Sequence, residues 1–81
     1  MFDEKKFDVY LDTKGLNCPL PILKTKKALA TMSSGQSIHV VATDSGAVAD
    51  FRAFAVQTGH ALDECWEDAD EFHFVLRKSS K

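Results

Sequence analysis

The stretch Phe7-Asp8-Val9-Tyr10-Leu11-Asp12-Thr13-Lys14-Gly15-Leu16-Asn17-Cys18-Pro19-Leu20-Pro21 decides the fold. Its first six residues alternate, with Phe7, Val9 and Leu11 toward a core and Asp8, Tyr10 and Asp12 away from it. That is the period of a half-buried strand. Thr13 to Asn17 is a loop whose single glycine, Gly15, supplies an unusual backbone angle. Pro19 and Pro21 fit regular structure only if they open a helix, where the N–H groups they lack had no partner anyway. Beyond them Ile22, Thr25, Leu29 and Met32 recur at helical spacing with Ala28 beside them, and Lys24, Lys27 and Thr31 take the opposite side. Ser33-Ser34-Gly35 ends this helix.

The rest of the chain repeats the alternation of strand and helix. Gln36 to Thr43 reads as a strand with Ile38, Val40 and Ala42 inward and His39 and Val41 outward. Thr43-Asp44-Ser45 offers caps for a second helix, with Asp44 read as an N-cap. Val48, Phe51, Ala55 and Thr58 form its buried stripe, Phe54 flanks it, and Gly59 is its C′ residue. His60 to Glu67 is a third strand with Leu62 and Trp66 inward. Asp68-Ala69-Asp70 is a hairpin turn. Glu71 to Lys78 is a fourth strand with Phe72, Phe74 and Leu76 inward, and His73, Val75 and Arg77 outward. The last three residues read as a tail. The order β-α-β-α-β-β predicts an α+β two-layer sandwich: a four-stranded mixed sheet with both helices on one face. Each β-α-β crossover is expected to pair its strands in parallel, and the final hairpin is antiparallel. The open face would carry Tyr10, His39, Val41, Cys65 and Val75.

Eighty-one residues form one domain, 1–81, with a core from about 7 to 78. The chain is 44% apolar and 27% charged, as ordinary globular chains are. Ten basic against twelve acidic residues leave a net charge of −2, which gives nucleic-acid binding no support. No apolar run is long enough to span a bilayer. The charged start Met1-Phe2-Asp3-Glu4-Lys5-Lys6 is not that of an export signal, so a cytoplasmic location is expected. In that compartment the two cysteines, Cys18 and Cys65, are expected to include at least one free thiol.

Cys18 is the residue on which chemistry converges. It stands just before a helix, whose first N–H groups and macrodipole favour an anion. A depressed thiol pKa is therefore expected, with Lys14, Lys24, Lys26 and Lys27 adding positive potential. Against this stands the ordinary fate of free cysteine, burial as a small apolar residue. The flanking prolines and lysines favour the reactive reading. The usual Cys-x-x-Cys dithiol mechanism lacks its second cysteine, because Pro21 stands there. His39, His60 and His73 are scattered, so neither a hydrolytic base nor a metal site is readable. What remains is a cysteine that itself holds a transferable group, such as a persulfide sulfur.

The run from Leu11 to Pro21, followed by Lys24, Lys26 and Lys27, resembles the signature of the TusA-like (SirA-like) sulfur-carrier family. Thr43-Asp44, Asp50-Phe51, Gly59-His60 and Leu76-Arg77-Lys78 resemble its later landmarks. The likeness covers residues 9 to 78. It implies the same β-α-β-α-β-β sandwich, and a carrier whose cysteine, Cys18 here, accepts sulfane sulfur from a cysteine desulfurase or similar donor. The sulfur then passes to an acceptor protein, as in tRNA 2-thiouridine synthesis or related sulfur trafficking. It implies a sulfurtransferase-like relay rather than a stand-alone catalyst, with no cofactor, no metal, no direct nucleic-acid contact and no membrane. The sequence departs from the pattern at Ser45, where the family often has proline, and at Arg52 and Ala55, where it often has proline and cysteine. These departures leave the pathway open.

Gly15, Asn17, Pro19 and Pro21 are expected to shape the loop, with Asp12 and Asn17 bonding its backbone. Lys24, Lys26 and Lys27 are either a solvated helix face or a docking patch for an acidic partner. His60 is expected to hydrogen-bond at the helix end or in the loop after it, and Cys65 to be a passive strand residue, with a resolving thiol for Cys18 as the alternative. Two rival readings exist. One is a small regulatory or RNA-binding module using the open sheet face and the lysines, against which a lack of exposed aromatic pairs counts. The other is a redox-sensing thiol protein.

Overall fold

The structure, a computed structural model, describes residues 7–79; the charged start and the last two residues of the tail lie outside them. Six elements follow in the expected order: β1 (Val9–Thr13), α1 (Leu20–Ala30), β2 (Ser37–Ala42), α2 (Ala47–Thr58), β3 (Ala61–Asp68) and β4 (Glu71–Arg77). The sheet runs β1-β2-β4-β3. β1 pairs with β2 in parallel, and β4 runs antiparallel to both β2 and β3. α1 packs on β1 and β2, α2 on β4 and β3.

The second crossover departs from expectation, because β4 lies between β2 and β3 and those two strands do not pair. Burial explains the choice. Phe74, Val75 and Leu76 of β4 are all buried, whereas β3 carries Asp63, Glu64, Glu67 and Asp68 in exposed positions. An apolar strand gains most at the centre of a sheet, and an acidic one protects an edge from pairing with other chains.

Between helices and sheet lies one core, built on Leu29, Met32, Ile38, Val40, Phe51, Phe54, Phe74 and Leu76. Phe51 stacks on Phe74 with ring centroids 4.2 Å apart. Phe54, expected only to flank its helix, is as much part of this core as Phe51. Two threonines are buried with their hydroxyls satisfied. Thr13 Oγ1 donates to the Val41 carbonyl at 2.6 Å, and Thr25 Oγ1 to the Pro21 carbonyl at 2.8 Å. α1 stops at Ala30, earlier than Ser33, as the Thr31 and Met32 N–H groups tighten onto Ala28 and Leu29. Gly59 closes α2 in the left-handed conformation, φ 81°, its N–H bonded to the Ala55 carbonyl.

β3 differs most from its reading. Leu62 opposes Leu76 but Glu64 opposes Val75, so Asp63 is an extra residue, a β-bulge. Past it every side chain changes face. Trp66, expected inward, opposes His73 and stacks on it on the open face at 4.8 Å and 3°. Cys65, expected on the open face, opposes Phe74 on the helix side, yet is exposed. Arg77 holds the bulge with two bonds to the Asp63 carboxylate, at 3.0 and 3.1 Å. Phe7 is also displaced from the core: its ring meets His39 edge-on at 4.8 Å.

The open face is thus more aromatic than expected. Tyr10 is 53% and Trp66 40% exposed, which overturns the expected lack of exposed aromatic pairs. Val41 and Val75 are buried here. His39 Nε2 and His73 Nδ1 lie 2.9 Å apart, and His39 Nδ1 is buried with no hydrogen-bond partner. Protonating that Nδ1 would bury an unsatisfied donor, so the favoured tautomer has His39 Nε2–H donating to His73. Burial and the neighbouring His73 hold His39 below the ordinary histidine pKa, with Glu64 opposing them.

Candidate functional site

The loop between β1 and α1 is stitched to the start of α2 by hydrogen bonds the sequence could not show. The Asp12 carboxylate accepts the Lys14 N–H at 2.9 Å, the Asx turn expected of it. Gly15, at φ 83°, takes the left-handed turn and donates its N–H to Thr43 Oγ1 at 2.9 Å. Cys18 donates its backbone N–H to Asp44 Oδ2 at 3.2 Å. Asn17 offers its carbonyl to the Leu20 N–H at 2.8 Å. Asp44 is therefore not the N-cap of α2; Gly46 holds that position without a side-chain cap. The Asp44 carboxylate ties down the Cys18 loop instead, while its carbonyl accepts the Ala47 N–H.

Cys18 is exposed and free. The Cys18–Pro19 peptide bond is cis, and Pro21 is buried in the first turn of α1. Cys18 stands at a groove of about 240 Å³ between the two helices, lined by Pro19, Ile22, Lys26, Asp50, Phe54 and Gln57 among others. Lys26, Phe54 and Thr58 also line an adjoining hollow that ends at His60 and Lys78. His60 Nδ1 accepts the Ser79 N–H at 2.9 Å, the hydrogen-bonding role read for it.

The electrostatics of Cys18 reverse the expectation of a depressed pKa. A hydrogen bond to the Asp50 carboxylate pushes the thiol upward, with partial desolvation and the charges of Asp50 and Asp44 adding to it. The helix terminus offers little to counter this. α1 begins two residues after Cys18; Pro19 and Pro21 carry no N–H, and the Leu20 N–H is spent on Asn17. The same prolines that announce the helix start thus weaken it as an anion site.

Of the lysines, Lys26 shares the groove with Cys18. Lys24 and Lys27 lie with Lys26 around a second hollow that also exposes Leu20 and Leu23, an apolar and basic surface on α1. Asp50 was visible in the sequence only as a landmark. Its place in the first turn of α2, beside a thiol on the loop before α1, depends on how the two helices pack, which periodicity does not encode. Cys65 lies on β3, unbonded to Cys18. Among the described residues no group of three or more His, Cys, Asp or Glu side chains is placed to hold a metal ion, and no helix is long and apolar enough to cross a membrane.

Fold and site together define a small α+β domain that presents one exposed thiol beside a groove between its two helices. The family model described as Sulfurtransferase TusA matches residues 9–78, and the chain belongs to that family. It is 60% identical over 73 residues to the sulfur carrier protein TusA of Allochromatium vinosum, covering 90% of this chain and 96% of that one. It is 34% identical over 73 residues to the sulfur carrier protein TusA of Pseudomonas aeruginosa, covering 90% and 92%. Among solved structures, a SirA-like protein from Desulfitobacterium hafniense has the same fold. Its TM-score is 0.77 at 22% identity, over 89% of this chain and 99% of that one.

Proposed function

We propose that the chain, as a single domain over 1–81, carries sulfur as a persulfide on Cys18 between a donor protein and an acceptor protein. The observation that carries this reading is an exposed Cys18 within the family-matched segment, on a projecting loop beside the groove between the two helices. The curated relatives named as sulfur carriers support it. A carrier thiol must enter two active sites in turn, which a projecting loop allows and an enclosed cavity does not. In loading, Cys18 Sγ attacks the terminal sulfur of the donor's persulfide. A new S–S bond forms, the donor's own S–S bond breaks, and the Cys18 proton ends on the released donor thiol. The exchange is redox-neutral and asks for no cofactor on this chain.

Gly15, Asn17, Pro19 and Pro21 shape the loop that presents the sulfur. Lys24, Lys26 and Lys27, with Leu20 and Leu23, form the surface on which an acidic and apolar partner docks. A cysteine desulfurase is the donor class this reading favours, in the cytoplasm, with tRNA thiolation or related sulfur trafficking downstream. The RNA-binding alternative gains exposed aromatics on the sheet. It loses to the register, which places Asp12, Glu64, Asp68 and Glu71 on that same face, where phosphates would be repelled.

The test is intact-protein mass spectrometry after incubation with a cysteine desulfurase and cysteine. Wild type and Cys65→Ser gain one sulfur that reductant removes, and Cys18→Ser gains none. Loading of Cys18→Ser, or a wild type that takes sulfur from neither a desulfurase nor a rhodanese-type donor, overturns the reading.

A further inference from the structure

Most persulfide chemistry would be served by a thiol that is always ionised, yet the two groups governing Cys18 are carboxylates. Asp44 holds the Cys18 backbone N–H at 3.2 Å. Asp50 shares the groove wall with Cys18, and its carboxylate pushes the thiol upward. Lys26 is the basic side chain of that groove.

We propose that Asp50 determines which reagents Cys18 accepts: in the free carrier its negative charge, on the same groove wall, opposes ionisation of the thiol, and a cationic side chain brought into the groove by a donor or acceptor protein pairs with the carboxylate and frees the sulfur. The inference rests on the carrier function proposed above. Asp50 acts through Cys18 and is a positioning residue. Its place in the first turn of α2, its backbone N–H bonded to the Gly46 carbonyl, fixes it on a rigid element. A carboxylate beside a thiol gains by pairing with an arginine or lysine, because charge-assisted pairs are the stronger ones. The thiol is then free of the neighbouring charge that opposed its ionisation. As the new S–S bond forms, the thiol's proton passes to the donor's departing thiolate, and Asp50 remains ionised and paired throughout. A small oxidant or alkylating agent brings no cation and meets a protonated sulfur. Selectivity thus arises from a penalty on the wrong reagents as much as from attraction to the right one. The groups facing the thiol in this account are Asp50, Asp44 and Lys26.

The experiment uses the full chain with Cys65→Ser, so that Cys18 is its one thiol, with and without Asp50→Asn; thermal melts confirm folding, and Asp50→Ser serves if Asn does not fold. Two rates are compared: alkylation by iodoacetamide across pH, and sulfur loading from a cysteine desulfurase. The substitution is expected to lower the midpoint of the alkylation profile and speed alkylation at pH 7 several-fold. It is expected to slow protein-delivered loading about tenfold, the loss of one charge pair at a protein interface. A purely structural Asp50 would not move the two rates in opposite directions. An unchanged alkylation profile, or loading at the parent rate, overturns the inference. A parent protein that is never loaded overturns the carrier reading instead, and the alkylation profile still judges whether Asp50 restrains the thiol.

Discussion

Cys18 and Cys65 are both free and both exposed, so exposure does not separate them. Their surroundings do. Cys18 sits on a loop tied to α2 through Thr43 and Asp44, beside a groove that also presents Asp50 and Lys26. Cys65 lies in an acidic edge strand, with its neighbour across the sheet, Phe74, fully buried. One thiol is positioned by polar contacts from a second element. The other is carried by a strand whose anchorage lies in β4. A thiol becomes a functional candidate through the groups that govern its proton and its approach, and the contrast can be attacked from the Cys65 side.

The largest effect is expected on the strand beside Cys65, at its cross-strand neighbour. Phe74→Ala removes a ring that stacks on Phe51 at 4.2 Å in the centre of the core, and should cost about 3–5 kcal/mol in urea unfolding. Cys65→Ser, one strand away, should stay within about 0.5 kcal/mol of wild type, as surface substitutions do. A Cys65→Ser cost near that of Phe74→Ala would mean that β3 contributes to the core through this residue. The comparison between an anchored and a carried thiol would then fail.

The same region marks the limit of what the sequence allowed. β1, α1 and β2 were readable because alternation and helical spacing run through them uninterrupted, and because Pro19 and Pro21 can only open a helix. Phe72, Phe74 and Leu76 gave β4 its inward face in the same way. β3 was not readable, because Asp63 is one extra residue in an otherwise regular ladder, and a single insertion exchanges the faces of Cys65 and Trp66. At the site, Cys18 and its loop residues could be picked out from local pattern alone. The role of Asp50 could not: it arises where two helices meet, and local helix chemistry points the thiol's pKa in the opposite direction. Asp44 was misplaced for the same reason, since its N-cap propensity was outcompeted by a partner 26 residues away.

On the open face, Trp66 belongs to a ring cluster whose stability should depend on pH. His39 is held below its ordinary pKa, so the folded state binds its proton more weakly than the unfolded chain does. Its stabilising contribution is complete above the unfolded value, about 6.5, and is lost as pH falls from there toward the lower folded value. His60, lowered by burial and by Lys78, works in the same direction. The melting temperature should fall by a few degrees between pH 7.5 and 5.5. His39→Phe, which keeps a ring among Phe7, Tyr10 and Trp66 without a titrating group, should flatten part of that fall. An identical fall in His39→Phe would place the acid sensitivity elsewhere.

The smallest effect lies at the tip of the hairpin that bears Cys65. Ala69 and Asp70 both have positive φ, 51° and 66°, the pair of left-handed conformations of a two-residue type I′ turn. This geometry matches the twist of the strands but burdens a residue with a Cβ, and alanine lacks the polar side chain that lets Asp70 adopt it more easily. Ala69→Gly removes that burden while adding freedom to the unfolded chain, so the net gain should be about 0.5–1 kcal/mol. Thermal or urea unfolding measures it, and a loss of stability would mean that the unfolded-state term dominates. The substitution also isolates the hairpin from the site. A less strained turn should leave the Cys18 alkylation rate unchanged, because the hydrogen bonds that hold the Cys18 loop run to Thr43 and Asp44, while its Lys14–Glu71 ion pair with the hairpin, at 3.7 Å, is solvent-exposed and weak. A change in that rate would couple the two thiols' regions through the sheet and erase the distinction drawn between them.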